Sequence, residues 1–96
     1  MIQSFRDERT ADLFRERNTR AARQVPRELW RVAQRKLKAL DVAIRLDDLA
    51  VPAGNRLERL KGGQAGRHSI RINDRYRVTF RWELGHAYEV SVEDYH

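Results

Sequence analysis

The 96-residue chain has no cysteine and only two prolines, five glycines and one methionine. Without cysteine there can be no disulfide scaffold, no thiol nucleophile and no thiolate-bound zinc. Long apolar runs are missing as well. The opening Met1-Ile2-Gln3-Ser4-Phe5-Arg6-Asp7-Glu8 turns charged at once, and no stretch reaches the length of a signal-peptide core or a membrane span. A soluble, cytoplasmic protein without a membrane partner is the expectation. The phosphate-cradling Gly-Lys-Ser/Thr signature, the dinucleotide fingerprint and the His-Glu-x-x-His helix are also lacking, which argues against nucleotide hydrolysis and zinc proteolysis. His68, His86 and His96 are scattered, and no acidic or histidine group shows ligand spacing. Neither a metal nor a cofactor is expected.

What the chain does have is charge. Charged residues make up 35%, with 20 Lys and Arg against 14 Asp and Glu, a formal net charge of +6. Residues 1–46 carry 12 basic and 6 acidic side chains, and residues 47–96 carry 8 of each, so the excess lies in the first half. A balance of this kind favours polyanions but does not choose among nucleic acid, acidic proteins and anionic membranes. The length supports one domain, residues 1–96, with a modest core and no deep chamber.

The periodicity predicts a short strand at Ile2–Phe5 and a polar helix over Asp7–Arg17. Next comes an amphipathic helix over residues 26–41, opened by Pro26, with Leu29, Ala33, Leu37, Leu40 and Ile44 on one side. Arg27, Arg31, Arg35 and Lys38 form its cationic side. Residues 47–55 read as a connection, with Asp41, Asp47 and Asp48 as turn and solvent groups. From Arg67 the period becomes two. Arg67–Ile72 is a strand, ended by Asn73-Asp74, and Tyr76, Val78, Phe80 and Trp82 alternate with Arg77, Thr79 and Arg81 in the next. A connection at Glu83–His86 leads to a last strand in which Tyr88, Val90 and Val92 oppose Glu89, Ser91 and Glu93. The order predicts an α+β fold, two N-terminal helices packed on a small, mainly antiparallel sheet.

Arg77 and Arg81, which Arg71 can join from the preceding strand, form either a solvated sheet face or a floor for phosphate, since guanidinium matches a phosphate oxygen pair. Leu57-Glu58-Arg59-Leu60-Lys61-Gly62-Gly63 is either a strand end running into a turn or a site presenting Glu58 and Lys61. The chain closes on Glu93-Asp94-Tyr95-His96, a frayed end or an acid-base group beside that phosphate. RNA cleavage needs a proton acceptor for a 2′-OH, a proton donor for the departing 5′-oxygen and cations for phosphate. His96 suits either proton role, Asp94 or Glu58 can assist, and Lys61 and Arg77 supply positive charge.

Leu60-Lys61-Gly62, the run Ser69-Ile70-Arg71-Ile72-Asn73-Asp74-x-Tyr76-Arg77-Val78-Thr79-Phe80, and Asp94-Tyr95-His96 together resemble the HigB-type toxins of the RelE-like superfamily. The resemblance spans nearly the whole chain and implies a ribosome-dependent, metal-independent endoribonuclease that cleaves mRNA and inhibits translation. It carries Lys61, Arg77, Asp94, Tyr95 and His96 over as site residues, with Tyr95 stacking on a base or packing the sheet edge. Some members have His where this chain has Glu58, so that either Glu58 serves as a carboxylate base, or the site leans more heavily on His96, or the activity is weaker or differently selective. The cationic helix side would then grip ribosomal RNA. The implied partners are a HigA-like helix-turn-helix antitoxin, the ribosome and its mRNA, and operator DNA through the antitoxin. The alternatives are a toxin of the same fold that inhibits a protein such as DNA gyrase, and a basic RNA-binding module without chemistry.

Overall fold

Asp7 begins the first helix by accepting the Thr10 backbone N–H on Oδ1 at 3.0 Å. In the computed structural model, which describes residues 1–94, that helix is α1, Glu8–Phe14. It is shorter than the expected 7–17 because Glu16 adopts a left-handed φ of 57°, which no helix continues through. The second helix, α2, runs Trp30–Val42. Pro26 is extended (φ −51°, ψ 132°), so residues 27–29 form a tight 3₁₀ turn ahead of α2 rather than its first turn. Ala33, Leu37 and Leu40 are buried as the spacing predicts, whereas Ile44 lies past the helix end and is 78% exposed.

The expected connection contains two 3₁₀ turns, Leu46–Ala50 and Ala53–Asn55. Asp48 caps the first by accepting the Ile44 and Arg45 N–H groups, each at 3.0 Å, which holds its carboxyl below the ordinary range. Asn55 is buried, donates to the Leu49 and Val51 carbonyls and accepts from Lys36.

Four antiparallel strands follow in the order β1 (Glu58–Arg59), β2 (Arg67–Arg71), β3 (Tyr76–Glu83) and β4 (His86–Asp94). Ile70, Val78, Phe80, Ala87, Val90 and Val92 form one sheet face, buried with Leu13, Ala33, Leu37 and Leu40 in a single core cluster. The expected α+β architecture of two helices on a small sheet is what the chain forms. Among the described residues no helix is long and apolar enough to cross a membrane.

The opening segment is not a strand. Ile2 and Phe5 make isolated parallel bridges to Ala87 and Val90, covering the outer edge of β4. The bridges are three residues apart because β4 bulges between them. Thr79 pairs with Ser91 and Arg81 with Tyr88, so one residue of β3 faces two of β4, and Glu89 takes φ 51°. The bulge changes the phase of alternation. Tyr88, expected on the side of Val90 and Val92, lies instead with Arg81 on the opposite face.

Candidate functional site

Strand pairing gathers the polar side chains into rows on the sheet face away from the helices. One row is Glu58, Ser69, Thr79 and Ser91; another is Arg71, Arg77 and Glu93; a third is Arg67, Arg81 and Tyr88. In the middle, Arg77 donates from Nη1 to Ser69 Oγ and from Nη2 to Glu58 Oε1, both at 3.1 Å. Its side chain is 14% exposed and that of Glu58 is 50% exposed, so a largely buried guanidinium meets a carboxylate open to solvent. Such an ion is well placed for electrostatic work, because water screens it little.

Lys61 follows three residues after Glu58. The buried Leu60 anchors this segment, its N–H donating to the Arg67 carbonyl at 2.8 Å, while Lys61 is exposed at the start of a 3₁₀ turn. Gly62 permits the turn with φ 67°, a conformation that other residues take only under strain. Arg71 stands beside Arg77 and pairs with Asp74.

The remaining expected site residues that the structure describes are dispersed. Asp94 ends β4 opposite Tyr76, on the other side of the pleat from Glu93, and accepts from Arg75 at 2.6 Å. Tyr95 and His96 lie outside the described residues. Arg81 is on the same face as Arg77 but is engaged by Glu83 and Glu89, so it is a neutralised cation rather than an open phosphate floor. Arg31, Arg35 and Lys38 are exposed on α2, which packs against the far side of the sheet. Arg35 and Lys38 line an open hollow of about 500 Å³ with Phe14, Glu16 and Gln34. Arg27 precedes α2, its guanidinium 4.6 Å from the Trp30 ring centroid. The two cationic groups therefore occupy opposite layers of the molecule.

Sequence reasoning missed Arg67, which is 8% exposed and the most enclosed cation of this face. Its Nη2 donates to Thr79 Oγ1 at 3.0 Å and to the Glu89 carbonyl at 2.8 Å. Thr79 in turn donates to Glu93, which lies 3.9 Å from Arg6. Burial, and then Arg6, weaken the hold of Arg67 on its proton, while Glu93 and Glu89 act the other way. Strand parity puts Arg67 on the face of Ser69 and Arg71, but it does not reveal the Thr79 and bulge-carbonyl partners that hold it there. Among the described residues no three histidine or acidic side chains gather as a metal would require.

This arrangement can hold a phosphate beside a carboxylate, and the whole chain has relatives. Residues 3–96 match the family described as RelE-like toxin of type II toxin-antitoxin system HigB. The chain is 43% identical over 65 residues to Toxin HigB-1 of Vibrio cholerae, covering 68% of each. It is 32% identical over 96 residues to Endoribonuclease HigB of Proteus vulgaris, covering both completely. A solved YoeB-YefM complex from Staphylococcus aureus contains a chain of the same fold, with a TM-score of 0.60 and 18% identity over 100% of this chain and 98% of that one. With a family match over nearly its full length and relatives of this similarity, the chain belongs to the HigB family of RelE-like toxins of type II toxin-antitoxin systems.

Proposed function

We propose that the protein is an mRNA endoribonuclease that works on translating ribosomes without a metal ion. The observation that carries this reading is the Arg77–Glu58 contact at 3.1 Å on the open sheet face, with Lys61 three residues beyond Glu58. An incoming phosphate competes with the carboxylate for the guanidinium. Once Arg77 turns to the phosphate, the Glu58 carboxylate is released to face the sugar hydroxyl.

The chemistry then balances. The 2′-oxygen attacks phosphorus, its proton passes to Glu58, the bond from phosphorus to the 5′-oxygen breaks, and a proton from His96 neutralises the leaving oxygen. The products are a 2′,3′-cyclic phosphate and a 5′-hydroxyl. Arg77 and Lys61 stabilise the charge that grows on the phosphoryl oxygens. Tyr95 stacks on a base, Asp94 assists His96, and Arg71 adds a phosphate contact. The α2 cations Arg31, Arg35 and Lys38, with Arg27, hold ribosomal RNA from the opposite layer. A HigA-like helix-turn-helix antitoxin is the expected partner, and operator DNA is reached through it.

Mapping mRNA 5′ ends with purified protein and translating ribosomes tests the reading. Cuts should require ribosomes, survive EDTA concentrations that leave ribosomes intact, and disappear with Arg77→Ala. Growth inhibition without cuts would overturn it and direct attention to a protein target such as a topoisomerase.

A further inference from the structure

Four residues along β3 from Arg77, roughly 13 Å at strand spacing, the same face ends in a group of different character. The Arg81 guanidinium carbon lies 4.8 Å from the Tyr88 ring centroid, its Nε donates to Glu89 Oε1 at 3.1 Å, and its Nη1 pairs with Glu83. Arg81 and the neighbouring Arg67 are matched by the two carboxylates, so this corner carries no excess positive charge to draw a phosphate. What it offers is a flat plane backed by an aromatic ring, rimmed by hydrogen-bond acceptors.

The corner is built rather than incidental. Tyr88 reaches this face only through the bulge, and both main-chain groups of Glu89 are tied, its N–H to Ser4 Oγ at 2.9 Å and its carbonyl to the buried Arg67 at 2.8 Å. Arg81 is 37% exposed over the ring, and Glu83 and Glu89 are 57% and 52% exposed. Nucleobases stack on guanidinium planes as well as on aromatic rings. Each carboxylate gives one oxygen to Arg81 and retains a second. Guanine alone among the four bases presents two adjacent N–H donors, N1–H and the N2 amino group, one for the remaining oxygen of each carboxylate. Adenine and cytosine place an acceptor nitrogen beside their amino group, and uracil flanks its single N–H with carbonyls.

We propose that Arg81, Tyr88, Glu83 and Glu89 form a base-reading subsite that selects guanine in a nucleotide flanking the cleaved bond. This rests on the endoribonuclease reading, and it separates the face into a phosphate-binding centre at Arg77 and a specificity corner at Arg81.

The test compares cut sites in mRNA for wild type, the Glu83→Gln/Glu89→Gln double variant and Tyr88→Leu. For the double variant, guanine enrichment within three nucleotides of the cut should fall roughly fivefold or more, the effect of losing a bidentate base contact, while total cutting is retained. Tyr88→Leu should lose the same enrichment and raise the half-saturating ribosome concentration. An unchanged base distribution overturns the proposal, as does a uniform gain in cutting, which would mark the carboxylates as mere charge. If wild type makes no cuts, the nuclease reading fails and nucleotide titration of the full chain decides the subsite. Guanosine monophosphate shifting the NMR signals of the Tyr88 ring and Arg81 Nε, cytidine monophosphate not doing so, and loss of the response in the double variant support it; no shift with guanosine monophosphate overturns it.

Discussion

Arg77 reaches across β2 to Glu58 on β1, donating to the carboxylate at 3.1 Å while the same guanidinium holds Ser69 on the strand between them, also at 3.1 Å. A lysine can keep the charge but not both contacts, because it lacks the planar fork. Arg77→Ala should therefore lower single-turnover cleavage on ribosomes by about 10²- to 10³-fold, the usual loss on removing a transition-state donor. Arg77→Lys should recover only part of it.

Glu58→Gln separates proton transfer from positioning. The amide oxygen can still accept from Arg77, and the side chain is half-exposed, so the urea midpoint should stay near wild type. Cleavage should drop by about 10²-fold or more, as expected for loss of a general base. A variant that cuts at wild-type rate would assign the proton to another group.

How far these groups could be read in advance depends on the kind of order that each requires. Alternation at residues 76–82 reveals that Arg77, Thr79 and Arg81 share a face, and the Ala33, Leu37, Leu40 spacing reveals the buried stripe of α2. Strand periodicity says nothing about register between strands, so the meeting of Glu58 with Arg77 cannot be derived from it. Nor does any glycine mark the bulge: Glu89 takes its left-handed φ under tertiary contacts from Ser4 and Arg67, residues 85 and 22 positions away. The phase of Tyr88 and the pairing of Arg81 with Glu89 both follow from that unseen residue. The end of α1 at Glu16 is likewise unmarked by a glycine, although the bonds that close it are local.

The α2 cations should act through RNA backbone charge. Replacing Arg31, Arg35 and Lys38 together by Ala should reduce the slope of log affinity for ribosomes against log salt by about 2 to 3, at roughly 0.7 to 0.9 for each phosphate no longer neutralised. Cutting at saturating protein should persist, because these residues lie on the layer opposite Arg77. An unchanged slope would remove α2 from the ribosome interface.

His68 links stability to pH. It is half-buried with its ring 5.8 Å from the Phe80 centroid, and burial, then Arg59, push its pKa below the ordinary value. As pH falls through about 6.5, the unfolded chain binds a proton that the folded chain refuses until its own lower pKa. Above that window the group is neutral in both states and contributes nothing; within it stability declines as pH falls. The drop in urea midpoint from pH 7 to pH 5 should therefore be larger in wild type than in His68→Gln.

Thr10 secures α1 to β4. It is fully buried, its hydroxyl accepts the Val92 N–H at 2.9 Å and donates to Asp7 Oδ1 at 2.5 Å. Thr10→Val keeps the shape but orphans the Val92 amide, which should cost about 1–3 kcal/mol. Equilibrium unfolding and faster hydrogen exchange at Val92 would register the loss.

The bulge at Glu89 behaves like a change of reading frame within a single strand. Residues 90–94 keep step with the row that holds Arg77, whereas residues 86–88 are counted from a different origin at the hairpin end. Loss of the one extra residue would restore plain alternation and leave both the Arg77 row and the Arg81–Tyr88 pair where they stand. The bulge thus takes up the mismatch between the two parts of β4 at a single residue, and the row that holds Arg77 is set independently of the hairpin arm.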